Sequence, residues 1–273
     1  MDDRPVLPLL GDDGEPEKPS VARMYDYMLG GFQNAAVDRE AVRRAQAIYP
    51  DMAFVARANR AFLRRAVTFL ADRGIDQFLD LGSGIPTAGN THEVAQRRDP
   101  AARVLYVDSD PIAVAHSTAL LTDNPRAAAL RADARDPGAI LAHPVTRRLL
   151  DRDRPIGVLL LALLHFVPDD GEAYGLVATL RDALPPGSYL ALSHANYEAV
   201  APDILAQCER LYAGTSNPAR ARTRGEIARF FAGLELMESG LVYAPQWYPD
   251  DPDDPFREQP GRSLSLVGVA RKP

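Results

Sequence analysis

The sequence has one cysteine (Cys208), one tryptophan (Trp247) and two lysines (Lys18 and Lys272) in 273 residues. A single cysteine excludes an internal disulfide and fits a reducing, cytoplasmic setting. With so few lysines almost all positive charge is arginine, the usage of a GC-rich genome rather than a designed basic surface. Net charge is −6 and the pI is near 5.4. A nucleic-acid partner calls for a basic patch, so none is expected. The longest apolar run, Val158–Val167, contains His165 and is about half of the roughly 20 residues that span a bilayer, so no membrane partner is expected. Val6–Leu10 is too short, and too closely flanked by acids, for a secretory signal. The five histidines are scattered, with no paired cysteines, so no metal is expected.

What remains is an ordinary globular composition, 46% hydrophobic and 25% charged. Residues 1–19 hold four prolines among many acids and read as a flexible arm. Residues 20–74 read as a helical N-terminal extension. Ser20 is the expected N-cap of its first helix, which stops at Gly30-Gly31; further helices are expected over Asp38–Ile48 and Asp51–Arg73. In the last of these, Phe54, Ala58, Phe62, Ala66, Phe69 and Leu70 fall near one stripe. Residues 75–273 then alternate short apolar runs with helical segments. Strands are expected at Gln77–Leu81, Arg103–Val107, Ala127–Leu130, Ile156–Leu161 and Ser188–Ser193, with helices near 88–97, 111–122, 136–150 and 169–184. Strands without polar alternation, each followed by a helix, predict a parallel sheet buried on both faces. Helices over Glu198–Ala213 and Arg224–Phe231 follow, the second opened by a capping box at Thr223 and Glu226. Two late strands, Leu241–Gln246 and Ser263–Ala270, flank Tyr248–Gly261, a polar loop expected to be a flap or disordered.

The chemistry concentrates at the strand ends. The first strand ends in Asp80 and runs into the turn Gly82-Ser83-Gly84, which exposes backbone amides at the mouth of the sheet. Asp108 ends the second strand, where an acid can accept both ribose hydroxyls. Asp133 follows the third; its carboxylate can accept from an adenine amino group while the Ala134 amide donates to the ring. One strand-end acid is usually a turn former, but three in register with a glycine turn define a pocket. Thr87 stands where a dinucleotide fingerprint has its third glycine, and acids repel a pyrophosphate. The pocket therefore suits a phosphate-free, cationic ligand, S-adenosylmethionine, better than NAD.

Asp80-Leu81-Gly82-Ser83-Gly84, Asp108 and Asp133-Ala134 resemble the first three motifs of class I S-adenosylmethionine-dependent methyltransferases. More narrowly, the chain from Ser20 to Lys272 resembles an actinobacterial S-adenosyl methyltransferase family formerly of unknown function. The resemblance is carried by the stretches 22–31, 77–94, 106–111, 164–170, 184–194 and 268–271. It implies an α/β, Rossmann-like fold with a seven-stranded, mainly parallel sheet whose last strand is antiparallel. It further implies that Gly82 and Gly84 admit the methionine moiety, with Ser83 between them. Asp80 would hold the amino group, Asp108 the ribose, and Ser109, Asp133 and Ala134 the adenine, with the Leu161 carbonyl facing the ammonium. Ala35 and the Leu264-Ser265-Leu266-Val267 stretch depart from the family pattern on the presumed substrate side.

Methyl transfer is an in-line displacement, so the protein aligns a nucleophile and sometimes removes a proton. His165, in the loop after the fourth strand, is the first candidate base and His194 the second; a structural role is the plain alternative for both. Tyr27 or Asn34 would reach the substrate from an N-terminal lid, and Trp247 would wall the substrate pocket unless it is core. The strand-four exit lacks the Asn/Asp-Pro-Pro-aromatic signature of base-amino methylation. The expected function is methyl transfer to a small molecule at oxygen or nitrogen, with S-adenosylhomocysteine as product. A cofactor-binding protein without turnover and an NAD-dependent oxidoreductase are the alternatives.

Overall fold

The computed structural model describes residue 16, residues 18–87 and residues 89–273, so the arm expected over residues 1–19 lies almost wholly outside the described residues. The strands are β1 (Gln77–Leu81), β2 (Arg103–Asp108), β3 (Ala127–Arg131), β4 (Gly157–Leu161), β5 (Tyr189–Ala195), β6 (Glu235–Leu236), β7 (Val242–Tyr243) and β8 (Ser265–Arg271). They form one sheet in the order β3-β2-β1-β4-β5-β8-β6, with β7 also paired to β8. β1 to β5 are mutually parallel, and β8 inserts antiparallel between β5 and the β6–β7 edge. The sheet thus has eight strands because two two-residue pieces occupy the sixth position of the expected seven. A turn at Gly240, whose amide donates to the Met237 carbonyl at 2.7 Å, separates the pieces. A 3-10 turn containing Pro245 ends the second of them.

Ten α-helices surround the sheet among the described residues: α1 (Val21–Met28), α2 (Ala36–Ile48), α3 (Met52–Ala71), α4 (Thr91–Arg98), α5 (Pro111–Leu120), α6 (Pro137–Ala142), α7 (Pro144–Leu149), α8 (Asp170–Ala183), α9 (Pro202–Tyr212) and α10 (Arg224–Ala228). The single helix expected over 136–150 is two, because Pro144 cannot continue the turn begun in α6. Pro202 likewise sets the start of α9. The Thr223–Glu226 capping box opens α10 as expected. Ser20 stands at the N-cap of α1, but its hydroxyl donates to Asp110 Oδ2 at 2.7 Å instead of accepting from the helix.

The central strands alternate between two cores. Leu79, Leu81, Leu105, Val107, Val158 and Leu160 face one cluster, completed by α6, α7 and α8. Phe78, Val104, Tyr106, Leu159 and Leu161 face the other, completed by α3 and α4. Asp80 shares the parity of Phe78, which turns it toward α3 and α4. Trp247 is buried in the second cluster, edge-on to Phe62 and Phe69 at 5.1 and 5.4 Å between ring centres. The loop after it packs, contrary to expectation. Arg65 of α3 donates to the Trp247 and Ala244 carbonyls at 2.9 and 2.7 Å and pairs with Asp250 at 2.9 Å. Phe256, at the middle of the loop, is buried against the same core. One aromatic anchor, with about 2 kcal/mol available from its burial, and one arginine clamp hold down an otherwise polar segment.

Candidate functional site

The carboxyl ends of β1 to β5 open into a cavity of about 810 Å³, closed over by α1, α3 and α9. Asp80, Gly82, Ser83, Gly84, Asp108, Ser109, Asp133, Ala134 and Leu161 all line it. The glycine turn is tight: the Gly82 amide donates to the Val107 carbonyl at 2.8 Å, and both glycines have positive φ, +68° and +64°. A Cβ on Gly82 would lie 2.6 Å from Leu163 Cδ1, whereas one on Gly84 would meet nothing within 4 Å. The backbone at Gly84 is therefore open to a ligand.

The three acids sit in different environments. Asp80 is buried, accepts from Thr91 Oγ1 at 2.6 Å, and has its carboxyl pushed up to about 6, chiefly by burial. Asp108 accepts from the Gly84 amide at 2.7 Å and the Asp110 amide at 2.8 Å; burial raises its carboxyl against these bonds. One oxygen is used by each amide, so both keep a further lone pair for hydroxyl donors. Asp133 is half-exposed, and Arg135, bound through its guanidinium, holds the carboxyl below its usual range. The backbone is strained nearby: Ala162, directly after β4, and Leu264, directly before β8, line the cavity with φ of +52° and +50°.

A hydrogen-bonded chain that the sequence did not signal supports Ala162. Its amide donates to Ser193 Oγ at 2.8 Å; Ser193 donates to Asn59 Oδ1 at 2.6 Å; Asn59 donates to Tyr25 Oη at 2.9 Å; and Tyr25 donates to the Ala56 carbonyl at 3.0 Å. It ties α1 and α3 to the ends of β4 and β5. A second missed residue, Arg222, is fully buried and donates to the Leu164 and Val167 carbonyls at 2.9 Å each, to Asp170 at 3.0 Å and to His194 Nε2 at 3.0 Å. It bolts down the loop that carries His165. Arg222 lies in the coil before α10, where no periodicity marks a residue as buried.

The two histidines diverge. His165 lines the cavity, and its Nδ1 accepts from the Ala195 amide at 3.3 Å, which leaves the proton of the neutral ring on Nε2. Burial, with His194 and Arg222 adding to it, holds this ring well below the usual histidine range. The edge left for a ligand thus donates a hydrogen bond. His194 does not line the cavity. Strand alternation sends it to the opposite face from Ser193, stacked on Phe230 at 5.9 Å between ring centres. Its Nδ1 meets the Ala195 carbonyl at 2.8 Å, its Nε2 meets Arg222, and burial lowers the ring to about 4, so both nitrogens are taken.

The lid residues also differ from expectation. Val21, Ala22, Tyr25 and Met28 form the stripe of α1 that lines the cavity. Tyr27 lies off that stripe and packs beside Met24 and Val42. Asn34 binds Asp26 Oδ2 and the Gly31 carbonyl, both at 2.9 Å, which fixes the turn between α1 and α2. Trp247, buried behind α3, is no cavity wall. Met28, Met52, Val55, Leu205, Cys208 and Tyr212 add apolar lining from α1, α3 and α9, and the segment from Ser216 to Ala219 adds a further wall. Among the described residues no cluster of three or more His, Cys, Asp or Glu is placed to hold a metal, and no helix is long and apolar enough to cross a membrane.

A parallel sheet ordered 3-2-1-4-5 with an antiparallel strand inserted beside β5, and a cavity over the glycine turn, define the class I methyltransferase fold. Within that class, residues 12–273 match the S-adenosyl methyltransferase family, and the chain belongs to it. It is similar to a methyltransferase candidate from Thermobifida fusca, with 43% identity over 93% of this chain and 95% of the other and a TM-score of 0.87. It is equally similar to a DUF574 family protein from Streptomyces avermitilis, with 42% identity over 94% and 98% and a TM-score of 0.89. No curated protein matches the chain.

Proposed function

We propose that this protein transfers a methyl group from S-adenosylmethionine to a small molecule, at oxygen or nitrogen. The observation that carries the reading is the meeting of the three strand-end acids and the open glycine turn on one cavity. The residues fit this donor. Asp80 is a buried acid whose one hydrogen-bond partner among the described residues is neutral, an environment that favours an arriving ammonium. Asp108 has lone pairs left for two ribose hydroxyls, Ala134 is buried on the cavity beside Asp133, where it would meet an adenine ring, and the Leu161 carbonyl ends β4 at the cavity. When bound, the cofactor supplies an electrophilic methyl group on a sulfonium sulfur.

The chain's own part is alignment and exclusion of water. The apolar lining from α1, α3 and α9 dries the acceptor end, which strengthens every electrostatic contact within it. His165, neutral and donating from Nε2, orients an acceptor oxygen or nitrogen rather than taking its proton. The test is calorimetric titration with S-adenosylhomocysteine and NADH side by side, followed by a methylation assay over a panel of hydroxy- and amino-aromatic acceptors. S-adenosylhomocysteine is expected to bind and NADH not to; tight NADH binding overturns the reading. Cofactor binding with no product across the panel would mark a binding protein without turnover.

A further inference from the structure

Three rings stand in a row on the wall of the cavity away from the glycine turn. His165, Phe166 and Tyr212 line it with centres 4.3 and 5.9 Å apart in succession. Met28 of α1 and Met52 and Val55 of α3 add apolar surface, and Met52 is buried in one cluster with Cys208 and Leu264. Aromatic rings and methionine sulfur are the surroundings that hold a flat ring. Into this slot His165 presents one N–H, because its Nδ1 is taken by the Ala195 amide.

The slot holds no group placed to take a proton. Asp110 accepts from Ser20 Oγ at 2.7 Å, and Asp169 caps α8 by accepting the Glu172 amide at 2.8 Å. Glu172 and Glu209 reach the lining from exposed positions, and burial raises Tyr197 and Tyr212 so that both keep their protons. The charge nearest His165 is the buried Arg222 with His194 between them; Asp170, Arg220 and Glu226 pair with it and with one another at part-exposed positions. An ordinary alcohol, which must lose its proton during transfer, finds no base here. A carboxylate brings two oxygens and about four lone-pair sites, which an apolar slot leaves unsatisfied. The lining cations that could pair with one are elsewhere: Arg60 acts on Asp80, Arg23 is bound to Asp38 and Arg135 to Asp133. We propose that the methyl acceptor is an acidic aromatic hydroxyl, bound as its phenolate with the oxygen on His165 Nε2–H and the ring against Phe166 and Tyr212. This rests on the S-adenosylmethionine reading above. The phenolate oxygen's electron pair forms the new O–C bond as the C–S bond breaks. The electrons of that bond stay on sulfur, which passes from sulfonium to thioether. No proton moves in the step.

The probe is para-nitrophenol, whose anion is coloured and whose neutral form is not, with para-nitroaniline as its nitrogen counterpart. S-adenosylhomocysteine is first titrated into the wild-type protein, which tests the cofactor reading by itself. Each probe is then titrated into the saturated complex at about one pH unit below the phenol's own pKa, where roughly a tenth of it is ionised in water. Bound para-nitrophenol is expected to ionise more easily by about one unit, so that roughly half becomes coloured. His165→Asn, whose amide is too short to reach the place of Nε2, should lose that rise. His165→Gln, whose amide reaches it, should keep part. Thermal unfolding checks that both variants are folded, and S-adenosylhomocysteine should bind each within about twofold of wild type. Calorimetric heat without added colour overturns the proposal, and so does tighter binding of para-nitroaniline, which makes the acceptor a nitrogen. Equal colour in His165→Asn overturns the placement of the oxygen. Binding of neither probe to the saturated complex overturns the aromatic slot. If S-adenosylhomocysteine itself does not bind, the cofactor reading fails in the first titration, and the same probe outcomes are read on the protein alone.

Discussion

At the sheet end of the cavity, Asp80, Asp108 and Leu161 occupy positions that strand pairing fixes: Asp80 lies beside Tyr106 and Leu159, and Leu161 beside Ser193. At the helical end, Met28, Met52, Val55, Leu205 and Tyr212 come from three helices that meet only through tertiary packing. The first region is polar, tied by backbone hydrogen bonds and set by local sequence. The second is mostly apolar, and its shape depends on how α1, α3 and α9 dock. A cofactor common to many proteins can be served by the first kind of construction. An acceptor peculiar to one protein calls for the second, where a side chain can change without disturbing the sheet.

The contrast can be broken most severely at Arg222, which joins the His165 loop to the body of the protein. Arg222→Met removes a buried guanidinium from four partners and is expected to cost about 3–5 kcal/mol, read as a lowered urea midpoint. A loss below 1 kcal/mol would show that the loop holds its place without the clamp. Next comes pH. Asp80 has a raised carboxyl, about 6, because burial penalises its charged form. An ammonium ligand needs that charge, so cofactor affinity falls as pH drops through 6, by about tenfold at pH 5, where roughly a tenth of the carboxyl is ionised. Calorimetry with S-adenosylhomocysteine between pH 8 and 5, where a flat profile would separate Asp80 from the ligand, checks this.

Gly82→Ala sharpens the comparison at the sheet end. A left-handed φ costs an alanine about 1–2 kcal/mol, and Leu163 must shift, so both thermal stability and S-adenosylhomocysteine affinity should fall. The smallest effect is expected at the other end. Leu205→Ala and His165→Asn should leave S-adenosylhomocysteine affinity within about twofold while slowing methyl transfer to whatever acceptor the panel yields. Loss of cofactor affinity in either variant would dissolve the division between the two ends.

The same division explains what the sequence made legible. β1 spans Gln77–Leu81 as expected, and Asp80, Asp108 and Asp133 could be placed at strand ends because apolar runs and turn residues are local signals. His194 could not be assigned to a face: both faces of β5 are buried, so hydrophobicity does not reveal parity. Which tyrosine of α1 reaches the cavity is not legible, because this short helix carries two buried stripes, one on α2 with Tyr27 and one on the cavity with Tyr25. Asn59 is one of several polar residues of α3, and the apolar stripe legible in that helix is the one that carries Phe62 and Phe69. Trp247 and the loop after it depended on Arg65, 182 residues away in sequence from the carbonyl it binds. No local pattern carries such a contact.

The claim on which the rest depends is that the strand-end acids hold the cofactor, and Asp108→Ala tests it most directly. Its two carboxylate oxygens already accept the Gly84 and Asp110 amides, so circular dichroism must first show the variant folded. Titrated with S-adenosylhomocysteine, wild-type protein should bind with one site per chain. The folded variant should lose about 100-fold in affinity, the scale of two hydroxyl contacts to a charged acceptor. Equal affinity in the two proteins would contradict the account and move the cofactor to another part of the cavity.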